Sequence, residues 1–208
     1  MGDFVLKRGL RNIFAAEILT DTAEAFETGT PFHLIPAGEM SRTADSEKVD
    51  TYFDNSVYWT QGKEGATEVS ITGAALRPVD LAKINNKHVD ETTGAVLDTG
   101  EYDPKYFALG GEAGNADGTV ELFWFMKGTF AIPEQADKTE DDTTDTNGMT
   151  LTYSAIKTQH LFDVGGKKHP MKRVVIDTAT TEVKAEDGWT AQVVTPENLA
   201  TIVSKKTT

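Results

Sequence analysis

The chain has 208 residues, 38% of them hydrophobic, with 33 acidic against 20 basic residues, a net charge of −13 and no cysteine. That length supports one substantial core, so a single domain over 1–208 is expected, and the missing cysteines exclude disulfides, thiolate catalysis and cysteine-ligated zinc. The acidity argues against tight binding to nucleic acid, which rests on Lys and Arg neutralising phosphates, but it is compatible with brief contact with DNA that must not stick, or with simple solubility.

No apolar run approaches the roughly 18 residues of a membrane span. The start MGDFVLKRGLRNIF has no apolar core followed by a small-residue cleavage site, so neither a membrane anchor nor a secretory signal is expected. Gly2 does not signal myristoylation, because Leu6 stands where Ser or Thr is required. Residues 1–10 read as an arm carrying Phe4, Val5, Leu6 and Leu10, and 11–20 as a strand with Phe14, Ala16 and Ile18 on one face. After a turn at 21–29, TPFHLIPAG begins a second strand broken by Pro36 and Gly38. Residues 39–55 are polar and read as a long connection, which in a compact domain is usually functional or disordered.

Ser56–Gln61 and Thr67–Gly73 are expected to form a hairpin turning at Gly62-Lys63-Glu64-Gly65, with Val69 and Ile71 alternating against Glu68, Ser70 and Thr72. Residues 78–86 form the helix candidate: Pro78 suits the first turn, Asp80 complements the dipole, and Asn85-Asn86 can end it. An acidic excursion follows over 87–104. The stretch YFALGGEAGNADGTVELFWFMKGTF, residues 106–130, reads as two strands around a Gly/Asn/Asp turn, with Gly110, Gly111 and Gly114 taken as turn residues. Its second strand places Val120, Leu122, Trp124 and Met126 on one face and Glu121, Phe123, Phe125 and Lys127 on the other. Both faces are apolar at the middle, so both need cover, from the same subunit or from a neighbouring copy.

Residues 134–148 hold six acids against Lys138 and read as a mobile acidic loop. MTLTYSAI, 149–156, alternates cleanly, with Met149, Leu151, Tyr153 and Ala155 inward and Thr150, Thr152 and Ser154 outward. Strands at 172–177, 182–184 and 189–194, with a turn at Glu186-Asp187-Gly188, precede a C-terminal tail over 195–208. The sum is a mainly β chain, a β-sandwich or barrel with one short flanking helix and long loops.

Chemical motifs are absent. His33, His88, His160 and His169 are scattered without ligand spacing, and there is neither a GxSxG nor a GxxxxGK[ST] pattern. Asp141, Asp142 and Asp145 lack the spacing of a calcium loop. The basic cluster Lys167, Lys168, His169, Lys172 and Arg173 suits a neighbouring subunit's acids, a phosphate backbone or plain solvation. Trp59, Trp124 and Trp189 invite comparison with a carbohydrate platform, but each falls in an expected strand where core packing is the default. No enzyme activity and no cofactor are expected.

Three segments together resemble the major tail proteins, or tail tube proteins, of long non-contractile-tailed phages of Gram-positive bacteria. They are Lys7-Arg8-Gly9-Leu10-Arg11-Asn12 with Ile13-Phe14, the strand running into a helix over Thr67–Asn85, and the hairpin ending in Lys127-Gly128-Thr129-Phe130-Ala131-Ile132-Pro133-Glu134. The likeness covers most of 7–160 and weakens beyond; 87–104 looks like an insertion. It implies a β-sandwich of tail-tube type that forms hexameric rings. The rings stack into a hollow conduit for DNA ejection, with tape measure, tail terminator and distal tail proteins as partners. Tubes of contractile tails and type VI-like secretion share that fold, and a carbohydrate-binding β-sandwich is the alternative of a different class. The expected place is the virion tail, with the host cytoplasm during assembly.

On this reading Phe4, Leu6, Leu10, Phe53, Phe123, Phe125, Asp141 and Asp142 are the candidates for contact between subunits or rings. The arm 1–10 and the loop 134–148 are expected to become ordered, at least in part, on stacking, and the polar stretch 41–56 to reach a neighbouring ring. Glu68, Ser70, Thr72, Thr150, Thr152 and Ser154 are the candidates for the lumen wall, because each hydroxyl-bearing face sits opposite an apolar one.

Overall fold

A strand apolar on both faces needs cover on both sides, and this chain supplies both covers itself. The computed structural model describes residues 4–134, 148–184 and 188–206. In chain order the strands are β1 Lys7–Asp21, β2 Phe26–Thr28, β3 Phe32–His33, β4 Ala37–Phe53, β5 Ser56–Ala74, β6 His88–Val89, β7 Val96–Leu97 and β8 Phe107–Asn115, with helix α1 Pro78–Ile84 after β5. Then come β9 Val120–Phe130, β10 Gly148–Ile156, β11 Leu161–Val164, β12 Lys167–Pro170, β13 Arg173–Asp177, β14 Thr181–Val183, helix α2 Leu199–Ile202 and β15 Val203–Lys205. All pairings are antiparallel, and the main sheet runs β2-β1-β8-β9-β10-β5-β4. The chain is mainly β and sandwich-like, as its strand patterns imply. β4 curls back beside β1 without pairing to it, so the barrel stays open.

β9 is the branch point. Residues 120–128 pair with β8, while the other edge is shared: residues 121–125 pair with β13 and 127–130 with β10, the switch falling at Met126. Phe123, Phe125 and Phe130 enter one core with Ile13, Val69, Ile71, Leu109, Leu151 and Tyr153, closed by Leu81 and Ile84 of α1. Leu122, Trp124 and Met126 enter a second core with Phe162, Val174, Ile176, Trp189, Val194 and Ile202. The seven-residue α1 is too short to persist alone. Pro78 in its first turn and its buried Leu81, Ala82 and Ile84 hold it in place, and Asn86 leaves it with a left-handed φ of 54°.

Several expectations are corrected. Residues 39–55 are not a connection but most of β4, which pairs with β5 from Ala37–Gly73 out to Phe53–Ser56. The turn is Asp54-Asn55, both at positive φ (49° and 60°), the conformation a two-residue hairpin loop demands. Gly62 and Gly65 lie within β5 instead of turning it. Gly110, Gly111 and Gly114 lie within β8, where a Cβ on Gly110 would stand 2.7 Å from the Trp124 ring and one on Gly111 would stand 2.6 Å from Ile13 Cδ1. Their bare backbone lets large rings lie across the strand on both sides.

β1 begins at Lys7, so the arm is shorter than expected, and the excursion 87–104 is organised by the β6–β7 pair and by Lys87, which donates to Asp98 and to the Glu101 carbonyl. Residues 189–194 are not a strand; Trp189, Val193 and Val194 are buried there without pairing, and the expected tail contains α2 and β15. The expected turn at 186–188 and loop at 134–148 fall largely outside the described residues.

Candidate functional site

The register of three strands brings together two sets of hydroxyl-bearing residues that are far apart in sequence. Thr150, Thr152 and Ser154 of β10 lie opposite Thr72, Ser70 and Glu68 of β5, and these lie opposite Glu39, Ser41 and Thr43 of β4. Directly opposed residues share a face, so the six lumen candidates and three residues of β4 form one surface. It carries seven hydroxyls and two carboxylates and no lysine or arginine. Thr72 and Thr150 hydrogen-bond through their hydroxyls at 3.0 Å. The opposite face bears Val69, Ile71, Met149, Leu151, Tyr153 and Ala155, all buried. β4 closes this surface, and among the described residues its other edge is free, since it pairs there with β5 alone. An unpaired edge is a ready template for another strand.

Beyond that face the β4–β5 ribbon projects into solvent. Its tip presents Val49, Tyr52, Phe53, Val57, Tyr58 and Trp59, all exposed, Trp59 by 64%. Phe53 and Tyr58 meet edge to face at 5.3 Å between ring centroids. Phe53 was anticipated as a contact residue. Its companions were not, although the pattern Tyr-Phe-Asp-Asn-Ser-Val-Tyr-Trp is a signal: aromatic residues flanking two residues that tolerate the left-handed region. Trp59 is the one tryptophan outside a core; Trp124 donates from Nε1 to the Trp189 carbonyl at 3.0 Å within the second core.

The remaining contact candidates divide. Phe4 and Leu6 are exposed, while Leu10 is half-buried against the first core. Phe123 and Phe125 are each 1% exposed inside that core and offer no surface to a neighbour. That corrects their assignment, because the cover they need comes from β5, β10 and α1 of the same chain. Asp141 and Asp142, and Asp145 with them, lie outside the described residues.

Ion pairs fasten the cores at their margins. Glu121 accepts from Lys7 at 2.6 Å and from Arg42 at 3.1 Å, and the Arg42 guanidinium lies 4.0 Å over the Phe123 ring. Burial alone would raise the Glu121 carboxyl, but those two hydrogen bonds and charges outweigh it and hold it below its ordinary value. The basic cluster is split: Lys172 binds Glu64 and Thr67, Arg173 lies near the Phe125 ring, and Lys167, Lys168 and His169 stay exposed on β12. Among the described residues no group of histidine and acidic side chains is arranged to hold a metal ion, and no helix is long and apolar enough to cross a membrane.

A cleft of about 850 Å³ lies beside α1, between that helix, β1, β3 and β8. Leu34, Leu76 and Phe107 contribute its apolar lining and Lys83, Lys87 and Lys105 its cations. Each of these lysines has an acidic partner, in Asp80, Asp98 and Glu17 respectively.

Among the described residues, the arrangement is that of an antiparallel β protein with a free sheet edge, a polar face and an exposed aromatic ribbon. No family model matches the chain, and no curated protein matches it. Among solved structures it is similar to the cryo-EM structure of the anti-feeding prophage cap, described as a tube-terminating cap, with a TM-score of 0.36 and 8% identity over 84% of this chain and 95% of that one.

Proposed function

We propose that this chain is a structural, non-catalytic subunit of a phage-type tail tube, assembling as hexameric rings that stack into a conduit for DNA. One observation carries the reading: the hydroxyl-and-carboxylate face of β4, β5 and β10, free of cationic side chains and bounded by an open edge. A wall that DNA must slide past cannot hold it by phosphate neutralisation. Edges that pair between copies convert such faces into one continuous lining. A strand face of Thr, Ser and Glu meets the first need, and the free β4 edge meets the second. The resemblance of 7–160 to tail tube proteins supports the same reading. Its partners are then further copies of itself, with tape measure, tail terminator and distal tail proteins, and its place is the virion tail after assembly in the host cytoplasm.

Electron microscopy of the purified protein is the direct test: rings or tubes are expected, and a strictly monomeric protein at high concentration would sink the reading. The lining is tested separately by Ser70→Lys combined with Thr152→Lys. In a ring of six, the pair adds twelve positive charges. Tubes are expected to form as before, while DNA ejection from particles carrying the variant slows by about tenfold or more, since each cation gives the backbone a counterion-releasing contact. Unchanged ejection would place this face on the outside.

A further inference from the structure

The branch in β9 leaves a seam. Residues 121–125 pair with β13 and 127–130 with β10, and among the described residues no strand pairing joins β13 to β4 or β5. A pocket of about 380 Å³ opens there, lined by Arg42 of β4, Glu64 and Thr67 of β5, Phe125 of β9, and Lys172 and Arg173 at the start of β13. Arg42 opposes Val69 on the inward face, whereas Thr43 opposes Glu68. The pocket therefore lies on the other side of the sheet from the hydroxyl-and-carboxylate face. Asp45, next along β4, belongs to that polar face, where it lines a hollow with Thr43, Glu68 and Ser154.

The cations of the seam outnumber its acids even after pairing. Arg42 pairs with Glu121, which Lys7 shares, and Lys172 pairs with Glu64. Lys157 lies close enough to act on Glu64, and among the described residues neither it nor Arg173 has an acid of its own. Arg42, Lys157, Lys172 and Arg173 against Glu64 and Glu121 leave a surplus of two positive charges. Donors are left over as well. Arg42 spends a single N–H on Glu121, and Arg173 lies 5.7 Å from the Phe125 ring centroid without a described acceptor. The Arg42 and Lys172 side chains are only 21% and 11% exposed, so water screens their charges incompletely. Burial first, and then the neighbouring Arg173 charge, hold Arg42 below its ordinary value against the pull of Glu121. We propose that this pocket binds one phosphate-class oxyanion, held by Arg42, Lys172 and Arg173, which bridges β4 and β5 to β13 across the seam. Planar guanidinium forks match such an anion with paired hydrogen bonds. An ion bound only by the folded chain stabilises it by mass action. The site needs neither ring nor tube, so it stands apart from the subunit reading.

In a chloride buffer of fixed ionic strength, inorganic phosphate is expected to bind one to one in titration calorimetry and to raise the melting temperature. Arg173 is exposed, so its head group can be changed without opening a core. Arg173→Gln should weaken phosphate binding by about tenfold or more. Without phosphate it should melt no lower than the unaltered chain, since it removes a like charge from beside Arg42. Lys168→Gln changes an exposed cation of β12 outside the pocket and should leave binding as it was. A short DNA duplex that displaces the bound phosphate would identify the nucleic-acid backbone as the source of the group; a duplex that does not would identify the free ion. The inference is overturned by no binding at millimolar phosphate, by binding indifferent to Arg173→Gln, or by a melting shift that chloride alone reproduces. An Arg173→Gln protein that melts lower by the same margin with and without phosphate would make Arg173 a packing residue only and overturn it equally.

Discussion

An Asp21→Ala variant is expected to lose about 3–5 kcal/mol of stability, the usual cost of leaving one member of a buried ion pair alone. For a chain of this size that is on the order of 10 °C in melting temperature. Lys127 Nζ donates to Asp21 Oδ2 at 2.6 Å, and the two side chains are only 6% and 3% exposed. The carboxylate also accepts the backbone amides of Gln159 and His160, so it ties the end of β1 to the middle of β9 and to the segment entering β11. Removing Asp21 strands a buried ammonium and two amides together. Removing the ammonium by Lys127→Met strands much less, because the carboxylate keeps both amides and the methionine refills the space. The loss from Lys127→Met should therefore be clearly smaller, and equal losses in calorimetry would contradict this account.

The same group sets an acid dependence. Burial pushes the Asp21 carboxyl up, but the Lys127 hydrogen bond, the two amides and the Lys127 charge together hold it below its ordinary value. A folded pKa below the unfolded one contributes stability that is complete above the unfolded value and is lost as pH falls through the folded one. The gap between the wild type and Asp21→Ala should then stay constant from about pH 7 to about pH 5 and narrow only in stronger acid.

What sequence shows and hides follows from where each segment meets water. β10 is half-buried, and its alternation names its inward residues without error: Met149, Leu151, Tyr153 and Ala155. β9 is buried on both faces, and its continuous apolar run is equally plain. What its run cannot show is whose residues cover Phe123 and Phe125, since that depends on β5 and β10 returning from distant positions. β4 is the opposite case. Past Arg42 its ribbon leaves the body, both faces meet solvent, and no alternation survives to mark a strand. The glycines at 62 and 65 then look like a turn. In the structure a Cβ at Gly65 would stand 2.6 Å from Asp45 Oδ2, so that glycine permits a close approach next to the irregular register at Ala44–Ser46. The polar face was legible as two separate patterns, and only strand pairing joins them. The α1 cleft has no sequence signal, because its lining is drawn from separated segments, each with its own packing role.

Two neighbouring residues of β9 should fail alike in magnitude and differently in place. Trp124→Ala and Phe125→Ala each remove a large, fully buried ring, for which about 3–5 kcal/mol is the expected loss. The rings point into different cores. Trp124 packs with Phe162, Val174 and Trp189, at 6.4 Å between its ring centroid and that of Trp189, and donates to the Trp189 carbonyl. Phe125 packs with Phe123 and Tyr153, in the core that α1 and β5 close. The segment 189–205 has little regular pairing of its own beyond β14–β15, so its order depends on the Trp124 side. Hydrogen exchange should therefore show 158–205 losing protection first in Trp124→Ala, with β5, α1 and β10 retained. Phe125→Ala should show the reverse, opening β5 and α1 while 189–205 stays protected. If the two variants lose protection in the same order, the branch at Met126 does not separate two energetically distinct cores. The chain would then unfold as one unit whichever face of β9 is cut.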